Sequence, residues 1–125
     1  MKTIAVVGAS ADRSKFGNKC VRAYRAVGYQ VYPVNPSARE IEGLPAYASL
    51  AAVPRPLDRI SVYLPPPLTL RLLPEIAGSG GSAEVWFNPG SADAAVLAEA
   101  RRLGIDARPG CSIVDVGRSP REFPD

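Results

Sequence analysis

The sequence has 125 residues, the length of one domain, so a single core over 1–125 with no internal linker is expected. Hydrophobic residues make up 46% and charged residues 22%, which excludes a disordered chain, and 15 basic against 12 acidic residues leave a net charge of +3, a weak bias toward anionic ligands. The absence of histidine excludes Ser-His and Cys-His catalysis, phosphohistidine chemistry and imidazole metal ligation by this chain alone.

The β-rich apolar run Thr3–Val7 ends at Gly8 and reads as a buried first strand, followed by a small, polar and charged loop over 10–18. Over 19–27, Cys20, Ala23, Tyr24 and Val27 recur at helical spacing, and Gly28 stops that helix. Gln30–Val34 is a second strand, closed by Asn35-Pro36. Ile41-Glu42-Gly43-Leu44-Pro45 reads as a turn, and Ser49 as the cap of a short helix reaching Val53.

A third strand is expected over 58–64. Pro65, Pro66 and Pro67 end it as a stiff extended segment, with a short or kinked helix after them that carries Leu68, Leu72 and Ile76 on one face and Pro74 inside. A glycine-serine turn over 78–82, a fourth strand at Glu84–Phe87 and a loop Asn88-Pro89-Gly90 come next. Ser91 is the expected cap of a helix lined by Val96, Ala100 and Leu103. Gly104 stops it, 105–107 is a very short fifth strand, and the tail is read as irregular.

This alternation predicts an α/β fold: one Rossmann-like domain with a five-stranded parallel sheet and helices on both faces, its strands ordered third, second, first, fourth, fifth. No apolar run approaches the roughly 20 residues of a spanning helix, so no membrane is expected as partner. Met1-Lys2-Thr3 leads directly into a strand, without a signal-like segment, so cytoplasmic residence is expected. Aromatic residues are few and not interleaved with the arginines, which speaks against nucleic acid.

Ligands of open parallel sheets bind outside the carboxyl ends of the strands. The loop 8–17 offers small residues that let backbone approach a phosphate, the positive end of the following helix, and the charges of Arg13 and Lys15. The G-x-G-x-x-G fingerprint of dinucleotide sites fails in Gly8-Ala9-Ser10-Ala11-Asp12-Arg13, and the second strand ends in Asn35 where an NAD site wants Asp or Glu. Cys20 lies on an apolar helix face as a core residue, whereas Cys111 sits in a Pro109-Gly110 turn as the better candidate for thiol chemistry. The two cysteines lie outside any CxxC spacing.

Three stretches, Ile4-Ala5-Val6-Val7-Gly8-Ala9-Ser10, Gly28-Tyr29-Gln30-Val31-Tyr32-Pro33-Val34-Asn35-Pro36, and Pro65-Pro66 after the third strand, together resemble the small CoA-binding domain family. Leu50 to Pro54, in a Ser-Leu-x-x-Val-Pro pattern, and Cys111 extend the resemblance over nearly the whole chain. The family is similar to the CoA-binding domain of the succinyl-CoA synthetase α subunit and to ADP-forming acyl-CoA synthetases. The resemblance implies that Gly8, Ala9 and Ser10 meet the CoA phosphates with Arg13 and Lys15 nearby, and that Val34, Asn35 and Pro36 flank the nucleotide. It further implies that Leu64, Pro65 and Pro66 form an apolar wall. Where a Trp-x-Gln-x-Gly segment is usual, this chain has Trp86-Phe87-Asn88-Pro89-Gly90, with Asn88 in the glutamine's place.

The resemblance implies that the phosphohistidine of the synthetases belongs to a different domain, in keeping with the absence of histidine from this sequence. The resulting expectation is a stand-alone module that binds coenzyme A or acyl-CoA with no catalytic step of its own. Alternatives are a CoA-presenting subunit of an acyl-CoA ligase that depends on a partner enzyme, and an NAD-binding regulatory or redox domain.

Overall fold

Short runs of β-branched residues buried on both faces form the centre of the protein, seen in a computed structural model that describes residues 1–79 and 82–125. β1 (Thr3–Val7) and β5 (Arg59–Val62) lie innermost, and Ile4, Ala5, Val6, Ile60 and Val62 have no exposed surface. With β2 (Gln30–Val34), β6 (Glu84–Phe87) and β7 (Asp106–Pro109) they make a five-stranded sheet in the order β2-β1-β5-β6-β7, every pairing parallel. A separate two-stranded hairpin, β3 (Glu40–Ile41) with β4 (Leu44–Pro45), turns through Glu42 and Gly43, both at positive φ. This is the turn predicted there.

Alternation along β1 sends Ile4 and Val6 to one face and Ala5 and Val7 to the other. The first face is covered by α1 (Phe16–Ala26) through Cys20, Val21, Ala23 and Tyr24. The second is covered by α2 (Pro66–Gly78) and α3 (Ala94–Arg102) through Leu73, Ile76, Val96 and Ala100. Fold class, strand count and helices on both faces are therefore as expected. No helix among the described residues is long and apolar enough to cross a membrane.

The strand order is a correction. The third predicted strand, β5, sits on the far side of β1 from β2, so β2 and not β5 forms the edge. Pro33 explains this: it has no N–H to give a further strand, and its outward carbonyl accepts instead from Tyr47 N at 2.9 Å. Asn35 N then donates to Tyr47 O at 2.9 Å, so a loop covers the edge that the predicted order assigned to a strand.

α2 is a second correction. It begins at Pro66, because the first turn of a helix needs no N–H partners, and it continues unbroken through Pro74. Pro74 and Leu70 are on the solvent side, where water can satisfy the carbonyl that proline leaves unpaired. Its buried face also differs from the predicted one: Thr69, Leu73 and Ile76 face the core, while Leu68 and Leu72 turn toward the strand tips.

α3 is capped by Asp93, whose carboxylate accepts from Val96 N at 2.9 Å, rather than by Ser91, whose hydroxyl donates to Asn88 O at 2.7 Å. Ser49 occupies the cap position of the 3-10 turn Leu50–Ala52 without a side-chain hydrogen bond. The tail is ordered, not irregular. α4 (Ser112–Asp115) buries Ile113 completely, and Lys19 and Arg22 on α1 donate to the carbonyl of Phe123 at 2.9 and 3.1 Å. The predicted glycine-serine turn includes residues 80 and 81, which lie outside the described residues.

Candidate functional site

Gly8 leaves β1 at φ 89°, a conformation that residues with side chains rarely adopt. A Cβ at Gly8 would lie 3.1 Å from the backbone carbon and oxygen of Tyr63, and one at Gly17 would lie 2.3 Å from Gly8 O. These two glycines bring the start of α1 directly onto the end of β1, a packing for which there is room only without side chains. The loop between them is held by its own polar groups. Asp12 Oδ1 accepts from Ser14 N at 3.0 Å and from Ser14 Oγ at 2.6 Å, and these bonds to Ser14, with Lys15 nearby, hold the Asp12 carboxyl below its usual range.

The N-terminus of α1 opens on a cleft of about 520 Å³ lined by Gly8, Ser14, Lys15, Phe16, Gly17, Tyr63, Leu64, Pro65 and the loop Pro89-Gly90-Ser91. No side chain caps this helix and its first turn carries no acidic residue, so its N–H groups and positive dipole end remain available to an anion. α2 offers no such end, because it opens on prolines, and α3 is capped by Asp93. A second lobe of about 300 Å³ lies beyond Gly8 and Leu64, which line both lobes. Its walls are largely apolar, built from Val34, Pro36, Leu50, Leu68 and Leu72, with Arg71 and Glu75 on α2.

Six predicted site residues therefore meet in one cleft: Gly8, Lys15, Val34, Pro36, Leu64 and Pro65. The other six have different places. Ala9 is buried beneath the loop, and its carbonyl accepts from Asn35 Nδ2 at 2.9 Å. Ser10 is folded into the loop, its hydroxyl accepting from Asp12 N at 3.0 Å and its carbonyl accepting from Asn18 Nδ2 at 2.8 Å. Arg13 turns to Glu42, 3.7 Å away, because an opposite charge sits on the β3–β4 turn. Asn35 is an anchor rather than a cleft wall: its Oδ1 accepts from Ser37 N and Ala38 N, both at 2.9 Å, while its amide holds the first loop. Pro66 starts α2 and lines neither lobe.

Asn88, expected among the ligand contacts in the glutamine's place, is turned into the fold. Its side chain points inward, 2% exposed, donating to Ser61 Oγ at 2.8 Å and Val62 O at 3.0 Å and accepting from Ser112 N at 2.9 Å. The cleft is instead lined by the next residues, Pro89, Gly90 and Ser91. Around Asn88 lies a buried polar cluster in which the Ser61 and Ser112 hydroxyls are 2.7 Å apart and Cys20 Sγ is 3.7 Å from each. Burial raises both the Cys20 thiol and the Tyr63 hydroxyl above their ordinary pKa values, so both stay protonated at neutral pH. Cys20 is thus inert core, as expected, and Cys111 is a half-buried free thiol.

Lining residues that the sequence did not single out individually include Ser14, Phe16, Gly17, Tyr63, Leu68, Arg71 and Ser91. A signal existed for Gly17, a glycine at a helix start, and for Arg71, which is three residues from Leu68 and four from Glu75 on one helical face. For Tyr63 and Ser91 none existed, since only the sheet order brings the ends of β5 and β6 to the loop after β1.

A family model described as a CoA binding domain matches residues 2–117. The chain is 32% identical over 95 residues to an ADP-forming acetate–CoA ligase of Archaeoglobus fulgidus, covering 76% of this chain but only 14% of that enzyme's length. It superimposes on a conserved hypothetical protein of Pyrococcus furiosus with TM-score 0.84 and 32% identity, covering 92% of this chain and 99% of that one. It also superimposes on the dinucleotide-forming acetyl-coenzyme A synthetase 1 of Ca. Korarchaeum cryptofilum, with TM-score 0.73 and 27% identity over 85% of this chain and 25% of the other. With the family model spanning nearly its full length, this chain belongs to the CoA binding domain family.

Proposed function

We propose that the chain binds coenzyme A or an acyl-CoA across the carboxyl edge of its sheet and performs no chemical step of its own. The observation that carries this reading is the uncapped N-terminus of α1, held against the end of β1 by Gly8 and Gly17 and opening on the cleft. A diphosphate suits that place, because backbone N–H groups and the helix dipole favour negative charge and Lys15 adds a full positive one. The apolar walls on either side, Phe16, Leu64 and Pro65 in one lobe and Val34, Pro36 and Leu68 in the other, suit the uncharged parts of such a ligand. Both lobe volumes, about 520 and 300 Å³, are in the range of small-molecule sites.

A role as the CoA-presenting part of a larger ligase is a second reading, favoured by the small share of the ligase relatives that the chain spans. In either case the second strand ends at Asn35, whose side chain is committed to the loops, and offers no carboxylate for the ribose of NAD. Isothermal titration with CoA, acetyl-CoA, ADP and NAD tests the proposal. The expected result is micromolar binding of CoA and acetyl-CoA and at least tenfold weaker binding of NAD; NAD binding as tightly as CoA overturns it.

A further inference from the structure

We infer that Arg71 recognises a phosphate monoester on the ribose of the bound nucleotide, making the second lobe selective for a 3′-phosphorylated adenosine; this rests on the function proposed above. Arg71 lines the otherwise largely apolar lobe beyond Gly8 and Leu64. Its neighbour on the next helical turn, Glu75, is already engaged, with Oε1 accepting from Ala51 N at 2.7 Å. Among the described residues Arg71 itself enters no salt bridge, so no carboxylate competes for its guanidinium.

The cleft thus has two separate cationic points, the α1 end with Lys15 in one lobe and Arg71 in the other, joined over the saddle of Gly8 and Leu64. A ligand that matches both carries two separated phosphate groups with a flat apolar ring system near the second. ADP and NAD carry only the diphosphate, whereas CoA carries a diphosphate and a 3′-phosphate on its ribose. A planar guanidinium is suited to that monoester, which it can hold through two parallel N–H donors.

The test is titration of the full chain and of Arg71→Met with CoA and with 3′-dephospho-CoA, at low and high salt. Methionine retains the apolar stem of the side chain, so the lobe keeps its wall. The wild type is expected to bind CoA about tenfold more tightly than dephospho-CoA, with the preference shrinking as salt rises. Arg71→Met is expected to bind CoA as weakly as dephospho-CoA, with dephospho-CoA affinity changed less than about twofold. Equal affinities in the wild type, or an equal loss for both ligands in the variant, overturn the role of Arg71 while leaving CoA binding in place. If the wild type binds neither ligand, the proposed function and this inference fall together.

Discussion

Gly17→Ala is expected to destabilise the protein by about 3 kcal/mol, near the upper end of what overpacking usually costs. The added methyl would lie 2.3 Å from Gly8 O, 3.1 Å from Gly8 C and 3.2 Å from Ala9 Cα, all backbone atoms. They cannot retreat, because Gly8 is itself packed against the Tyr63 backbone and Ala9 is 1% exposed. The strain must therefore move the start of α1 away from β1, which also opens the anion site. Urea denaturation should show a lower midpoint at unchanged slope, and the folded fraction should bind CoA more weakly than wild type. Gly28→Ala is the matched control: φ there is +92° with nothing within 4 Å of the added Cβ, so only backbone strain of about 1 kcal/mol applies. If Gly17→Ala costs no more than Gly28→Ala, the close packing of loop and helix is wrong.

Asn88→Leu has the second large expected effect, about 2 kcal/mol. Leucine is similar in size but removes both donors and the acceptor of a buried amide, leaving Ser112 N without its partner, whereas Val62 O keeps the backbone N–H of residue 88 at 3.3 Å. Each buried group so orphaned costs about 1–3 kcal/mol. Ser61 suffers less, because its hydroxyl keeps the Ser112 hydroxyl at 2.7 Å. Ser112 begins α4, so the loss should loosen the carboxyl-terminal segment before the sheet. Hydrogen exchange should show reduced protection over 112–118 beyond the global change, while the amides of β1 and β5 follow global stability alone. Uniform loss of protection across the chain would contradict a local role for Asn88.

The sheet and its covering helices were legible because each buried strand is a compact β-branched run bounded by Gly, Asn or Pro, as in Thr3–Val7 before Gly8 and Gln30–Val34 before Asn35. Strand order was not, since order depends on which edge tolerates a strand. Pro33 marks β2 as that edge only when its missing N–H is weighed against its neighbours. The start of α2 was not legible because prolines at 66 and 67 read as breakers though they suit a first turn, and its buried face was not because it includes the polar Thr69 in place of Leu68. Half of the candidate site followed from the loop after β1 and the strand tips. The other half divides by side-chain direction: Asn35 and Asn88 look like ligand contacts by position, but each satisfies its amide within the protein. Polar residues near a sheet edge serve the fold as readily as a ligand, and sequence alone does not show which way they point.

Titration of ¹⁵N-labelled protein with CoA, followed by amide resonance shifts, reports where the ligand sits as well as whether it binds. The largest shifts are expected at Gly8, Ser14, Phe16, Gly17 and Gly90, around the α1 end of the cleft, with Arg71 responding in the second lobe. Shifts centred instead on the hollow at the opposite edge, lined by Met1, Arg25, Tyr29 and Gln30, or no response in the loop after β1 at saturating CoA, would contradict CoA binding in this cleft.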